Sequence, residues 1–416
     1  MESYVINGGN RLSGKVKVES AKNSVLPIIA ASILTDEEVV IKNCPKILDV
    51  ENMVKILVSL GARCDFSCGD LIIDAKNIDK FTIPCVLTKE LRSSVFLLGA
   101  LLSRLKIAKI SYPGGCDIGK RPIDIHVTAL KSLGVEIIED ETEIFCRYTS
   151  NNGGKVELKF PSVGATENIV LASVFCSGKT EIHNCAKEPE IVDLMCFLNS
   201  MGAKIYGAGT STILIEGVEK LHGTTFKPIP DRIEAGTFLV AAAITGGEVE
   251  LCNCKIKNIY SLVHKLCNNT CKLRVKGDII YLQSGSSRKS FSLTTSPYPG
   301  FPTDLQPQMT ALATVSEGES RIVENLFDMR FKFADELVKM GADIKLKDNV
   351  AFVKGVKTLK GTDITAHDLR GGAALVLAGL QAEGQTTLYG VRHVERGYYN
   401  FDGKLRSLGA QIIRRG

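Results

Sequence analysis

Long apolar runs are missing from this chain of 416 residues. The longest, 95–102 and 238–244, fall far short of the roughly 18–20 residues that cross a bilayer, so no membrane-spanning helix and no membrane partner is expected. Blocks of like charge are missing too. Lys plus Arg number 51 against 46 for Asp plus Glu, and the net charge of +5 is not gathered into basic stretches interleaved with aromatics, which argues against a nucleic-acid partner. The 13 cysteines contain no paired C-x2-C spacing: Cys64 with Cys68, Cys252 with Cys254 and Cys267 with Cys271 are all spaced wrongly for a structural zinc site. They read instead as small buried hydrophobes, and no metal is expected. The polar stretch from Met1 to Arg11 lacks an apolar h-region, from which a cytoplasmic protein with reduced thiols is expected. Low-complexity segments are also absent, and 44% hydrophobic with 23% charged residues is ordinary for a globular chain. Its length exceeds the roughly 250–300 residues at which one core stops growing, so two domains are expected.

What stands out against that background is a loop, Pro113-Gly114-Gly115-Cys116-Asp117-Ile118-Gly119-Lys120-Arg121-Pro122-Ile123-Asp124-Ile125-His126. Its glycines and prolines cannot sustain a helix or an inner strand. A thiol of pKa about 8.5 is only a few per cent ionised at neutral pH. Lys120 and Arg121 favour the thiolate of Cys116, and Asp117 opposes it, so the residues leave open whether Cys116 is a nucleophile or a proton donor.

The chain is also self-similar. A Leu/Met-Gly-Ala signature recurs with glycines at 61, 134, 202, 341 and 409, and a degenerate copy has Thr270-Cys271 in its place, a period of about 70 residues. Each copy reads as an amphipathic helix such as 50–60 ended by a glycine cap, then an alternating strand such as Lys204–Tyr206. Next comes a second helix of small and aliphatic residues, at 93–102, 168–175, 236–244, 309–315 and 373–380, and then a strand such as 248–252 or 320–324. Helices apolar on every side must be buried on every side. Sheets wrapped around internal helices are therefore predicted, in an α/β (α+β) fold.

PGGC-x-IG-x-RP-x-D-x-H resembles the active-site loop of the UDP-N-acetylglucosamine 1-carboxyvinyltransferases, a branch of the enolpyruvyl transferase family that begins peptidoglycan precursor synthesis. The resemblance covers essentially the whole chain. It implies an inside-out α/β barrel, with three βαβαββ repeats in each of two domains. One domain is 22–228, carrying the Cys116 loop; the other is 1–21 plus 229–416, and the active site lies in the cleft between them. The implied reaction moves the enolpyruvyl group of phosphoenolpyruvate to the 3′-hydroxyl of UDP-N-acetylglucosamine and releases phosphate, with no cofactor and in a monomer.

The same resemblance assigns roles residue by residue. Cys116 is the acid or covalent nucleophile, and Asp304, in Gly300-Phe301-Pro302-Thr303-Asp304, is the base for the sugar hydroxyl. Lys22, Arg121 and Arg396 hold the phosphate, Lys22 and Arg396 thereby serving catalysis, and Arg370 holds the carboxylate. Asn23 and Arg92 contact substrate, Arg330 is a responsive neighbour, and Arg121, Pro122, Ile123, Asp124, Ile125 and Leu326 contact the nucleotide sugar. Ser162, Val163 and Gly164 contact its UDP portion. Without the resemblance, each arginine reads as a surface ion pair and Asp304 as a helix N-cap. Glu188-Pro189-Glu190-Ile191-Val192-Asp193 and Pro230-Asp231-Arg232 resemble family motifs that cap helices and link the domains, a structural role. Gly371-Gly372 predict a loosened helix around Arg370, and Glu395 stands where relatives more often carry Asp. Two other readings stay open: a transferase acting on shikimate 3-phosphate, which lacks this cysteine loop, and a non-catalytic nucleotide-sugar-binding paralogue.

Overall fold

A helix of small and aliphatic residues holds together only where protein encloses it. In the computed structural model, which describes residues 2–112, 114, 123–285 and 287–416, that is where such helices lie. The described chain forms two units, one of residues 20–112, 114 and 123–229, the other of 2–19 and 230–416.

In the first unit the enclosed helices are Lys22–Ala31, Phe96–Leu105 and Val163–Ser173. The last two meet where Gly99 leaves no room for a side chain: a Cβ there would lie 2.2 Å from the Asn168 carbonyl oxygen. Asn168 joins them by accepting from the Gly99 N–H at 2.6 Å and donating to the Val95 carbonyl at 2.9 Å. Outside them lie amphipathic helices, Leu48–Leu60, Asp124–Ser132 and Pro189–Ser200. Three sheets complete the unit. One runs Thr225–Phe226, Val39–Ile41, Asp70–Asp74, Arg63–Ser67; the second Ile107–Ser111, Glu143–Tyr148, Val135–Glu139; the third Lys204–Tyr206, Thr212–Glu216, Lys179–His183, Gly154–Glu157. In the third, Ile182 lies opposite both Ile213 and Val156, and all three are buried, so one face of the sheet covers the helices.

In the second unit every residue of Arg232–Thr245 and Gln306–Ala313 is buried, as is nearly all of Leu369–Gln381. Its sheets run Asp363–Thr365, Gln385–Tyr389, Ser3–Asn7, Gln411–Arg415; Lys272–Lys276, Ile279–Gln283, Glu248–Cys252, Ser13–Lys17; and Ser292–Thr294, Glu319–Val323, Val350–Lys354, Asp343–Lys347. Both units are thus mixed α/β, and among the described residues no sheet closes on itself. No helix among them is long and apolar enough to cross a membrane.

Enclosed helices begin ahead of the apolar runs that signal them because polar caps set their starts. Ser162, Asp231 and Asp368 each accept a hydrogen bond from the first-turn backbone. Asp231 therefore caps as expected, whereas Glu188 stands at the N-cap of Pro189–Ser200 without a side-chain cap bond. The glycine caps adopt the left-handed φ that the pattern requires, from +81° at Gly134 to +114° at Gly61. Thr270 takes φ +80° at the degenerate copy, so the backbone turn survives loss of its glycine. Cysteine burial is more mixed than expected: Cys254 and Cys271 are buried, but Cys68 and Cys267 face outward. Burial pushes the Cys271 thiol up to about 11.

Candidate active site

Asp304 lies in the short turn Thr303–Leu305 ahead of Gln306–Ala313, and it is not the N-cap that its position suggests. Its Oδ1 accepts from Arg330 Nη2 at 2.9 Å and its Oδ2 from Arg370 Nη2 at 3.0 Å. Neither arginine is a surface ion pair, since their side chains are 2% and 3% exposed against 27% for Asp304. Three sequence-predicted residues thus form one buried-edge cluster.

Arg370 is placed by the start of Leu369–Gln381, where Asp368 Oδ1 accepts from the N–H of Arg370 at 3.0 Å and of Gly371 at 3.1 Å. The following glycines do not loosen this helix. They permit its packing: a Cβ on Gly371 would meet Asp368 Oδ2 at 2.4 Å and Phe333 Cβ at 2.9 Å, and one on Gly372 would meet Val394 Cγ2 at 2.8 Å. Beneath the guanidinium, 5.4 Å from its centre, lies the Tyr398 ring. The Tyr398 hydroxyl is 2.9 Å from Thr237 Oγ1 and accepts from Gln308 Nε2 at 3.2 Å. Burial works against the Arg370 charge, but Asp304 and Tyr398 more than restore it and hold the group above its ordinary value. Burial raises the Tyr398 phenol, which therefore stays protonated.

Arg330 also reaches the Thr303 carbonyl at 3.4 Å and Asp368 Oδ1 at 3.9 Å. Its Nε and Nη1 of Arg370 are buried donors without a hydrogen-bond partner. Leu326 is tied to the same turn through Glu324, whose Oε1 accepts from the Leu326 N–H at 2.8 Å and whose Oε2 accepts from Thr303 Oγ1 at 2.9 Å. Arg396 is half-buried at the end of the helix Arg392–Glu395. Burial first, and then the Arg396 charge, push the His393 imidazole below its ordinary value, with Asp368 opposing. Glu395 turns to Arg414, 3.0 Å away.

The first unit assembles a different set. Lys22 opens its helix and pairs with the buried Asp49 at 2.7 Å; Asn23 beside it is half-buried. Asp193 accepts from the Ile229 N–H at 3.0 Å and from the Ser24 hydroxyl. Ser162 caps Val163–Ser173, and a Cβ on Gly164 would lie 3.1 Å from His126 Cε1, so that first turn rests against the start of Asp124–Ser132. His126 Nδ1 in turn is 3.0 Å from Asn168 Nδ2, the amide that also holds Val95 in the turn opened by Arg92. Arg92, Ile123–Ile125 and Ser162–Gly164 are therefore neighbours by way of His126 and Asn168. Cys116, Arg121 and Pro122, with Lys120, lie outside the described residues.

Sequence reasoning missed Asp49, Glu324, Asp368 and Tyr398, which hold the predicted residues in place. Asp368 had a signal, an acid five positions ahead of the apolar run 373–380, and so did Glu167, a lone charge just ahead of the run 168–175. Glu167 is fully buried with no partner for either oxygen. Burial, then Glu190 and Glu188, raise its carboxyl well above its ordinary value.

The family model for EPSP synthase (3-phosphoshikimate 1-carboxyvinyltransferase) matches residues 6–405. Over 415 residues the chain is 50% identical to UDP-N-acetylglucosamine 1-carboxyvinyltransferase 2 of Caldanaerobacter subterraneus subsp. tengcongensis, and the match covers 100% of each. The crystal structure of the enolpyruvyl transferase NikO from Streptomyces tendae is similar with a TM-score of 0.89 at 26% identity, covering 99% of this chain and 98% of that one. EPSP synthase from Acinetobacter baumannii shares the fold, with a TM-score of 0.75 at 19% identity over 100% of both chains.

Proposed function

The chain belongs to the EPSP synthase family of carboxyvinyltransferases, and from that premise we infer that it transfers the enolpyruvyl group of phosphoenolpyruvate to the 3′-hydroxyl of UDP-N-acetylglucosamine, releasing phosphate. The observation that carries the choice of acceptor is the full-length likeness to a relative named for it. The PGGC loop around Cys116 supports the same choice over shikimate 3-phosphate.

In this reading the reaction adds and then eliminates. Asp304 takes the proton of the 3′-hydroxyl, whose oxygen forms a bond to C2 of the donor while Cys116 delivers a proton to the methylene carbon. The tetrahedral adduct then loses a proton from that methyl carbon, and the C2–O bond to phosphate breaks with its electron pair, restoring the double bond. In the same reading the Cys116 thiol also forms a covalent adduct with the donor. A donor with a phosphate of about −1.5 to −2 and a carboxylate near −1 needs several cations. Lys22, Arg121 and Arg396 supply them to the phosphate and Arg370 to the carboxylate, where a planar fork pairs two oxygens at once. Arg330 supports Arg370 through Asp304. Asn23, Arg92, Pro122, Ile123, Asp124, Ile125, Ser162, Val163, Gly164 and Leu326 bind the nucleotide sugar. We read the sheets and enclosed helices as inside-out barrels of βαβαββ repeats, in domains of 22–228 and of 1–21 with 229–416. The enzyme is read as a cytoplasmic monomer that begins peptidoglycan precursor synthesis.

Phosphate release from phosphoenolpyruvate tests this. Release should require UDP-N-acetylglucosamine, and shikimate 3-phosphate should not replace it. Cys116→Asp should keep turnover and resist alkylation by the epoxide fosfomycin, and Cys116→Ala should be nearly inactive; full activity in the alanine variant would remove the cysteine from the mechanism.

A further inference from the structure

We propose that Asp304 is an internal stand-in for the donor's carboxylate: it occupies Arg330 and Arg370 until the donor takes them, and only then is it released to act as the base. The inference rests on the reading of Asp304 as base and of Arg370 as the ligand of the donor's carboxylate, with Arg330 as its neighbour.

Four observations lead there. Each oxygen of Asp304 accepts from a different guanidinium, at 2.9 and 3.0 Å, so both oxygens that could receive the hydroxyl proton already hold a cationic donor. The arginines are the fixed partners. They are 2% and 3% exposed, and Arg370 is further held by the Tyr398 ring, whereas Asp304 is 27% exposed on a short turn after Pro302. The pair has capacity beyond what Asp304 uses, because Arg330 Nε and Arg370 Nη1 are buried donors with no partner. An anion bringing more acceptor oxygens would satisfy them. Finally, Asp304 and Asp368 together already balance the two guanidinium charges, so a further anion is accepted most readily when one acid withdraws, and Asp368 is fixed as a helix cap.

Donor binding and base release are thereby one equilibrium. The apparent donor affinity is lowered by the fraction of molecules in which Asp304 holds the arginines. In return, the sugar hydroxyl meets an active base only when the donor is seated.

Asp304→Asn removes the competing charge while keeping the shape, and 2-phospholactate, a saturated phosphate and carboxylate that cannot be transferred, reports binding without turnover. Calorimetry on the full chain should show 2-phospholactate binding the variant about tenfold more tightly than the wild type. Turnover by the variant should fall about a thousandfold or more. Turnover lost with unchanged or weaker binding overturns the stand-in and leaves the base reading in place; turnover retained overturns the base reading. Should the variant not fold, a structure of the wild-type protein with 2-phospholactate decides. Asp304 beyond hydrogen-bonding distance of both arginines supports the proposal, and Asp304 still bonded to both overturns it.

Discussion

Both units bury acids, but among the described residues only residues 230–416 bury cations as well. Residues 230–416 bury Arg232, Arg330 and Arg370 among acids such as Glu324 and Asp368, and Arg330 and Arg370 both reach Asp304. Residues 20–229 bury acids, among them Asp49, Glu167, Glu190 and Asp193, while none of the described lysines and arginines there is buried, although the Lys22 side chain, 12% exposed, comes close. A buried guanidinium cannot lose its proton, so it must keep an anion; a buried carboxyl can, and without a cation it stays neutral. One unit therefore presents permanent charge suited to an anionic donor. The other holds groups whose charge depends on surroundings and pH.

Breaking the cationic side should have the largest effect. Arg370→Ala takes one guanidinium from Asp304 and removes a donor ligand, and kcat/KM for phosphoenolpyruvate should fall about a thousandfold. A steady-state assay showing less than a tenfold loss would remove Arg370 from donor binding.

The acidic side is sharpened by pH. The Glu167 carboxyl sits well above its ordinary 4.5 in the folded protein, through burial and then its acidic neighbours. A raised folded value means that its contribution to stability is complete below pH 4.5 and is lost as pH rises from there toward the folded value. Glu167→Gln has no such proton to lose. From the ordinary 4.5 up to the folded value, the stability difference should therefore move in the variant's favour by up to about 1.4 kcal/mol per pH unit, whatever the fixed cost of the amide. Parallel denaturation profiles for both proteins would show that Glu167 is ionised when folded.

Smaller effects probe the frame. Gly371→Ala puts a methyl group against Asp368 and Phe333, and overpacking of this kind costs about 1–3 kcal/mol in chemical denaturation. It should also weaken donor binding, because Asp368 caps the helix that carries Arg370. Gly341→Ala has open space around the new methyl at φ +93°, so only backbone strain is felt, about 1 kcal/mol. No loss there would undercut the explanation of the glycine caps.

The frame was legible because it is written in periods. Glycines about 70 residues apart and runs without charge mark helix ends and enclosed helices whatever the tertiary details. Apart from the start that Asp231 caps, helix starts were less legible, since Ser162 and Asp368 set them through cap bonds upstream of the apolar runs. Asp304, Arg330 and Arg370 were named from resemblance, but their mutual bonds were hidden. They lie up to 66 residues apart, and burial of an arginine is decided by elements that local spacing does not encode. Glu324 and Tyr398 were missed for the same reason. Thr270 shows the converse, a turn kept by the fold after its sequence signal is gone.

The central claim is the transfer itself. Mass spectrometry of UDP-N-acetylglucosamine incubated with phosphoenolpyruvate and the full chain should show the nucleotide sugar gaining one enolpyruvyl group for each phosphate released. An unchanged nucleotide sugar, with shikimate 3-phosphate modified in its place or no phosphate released at all, would contradict the account.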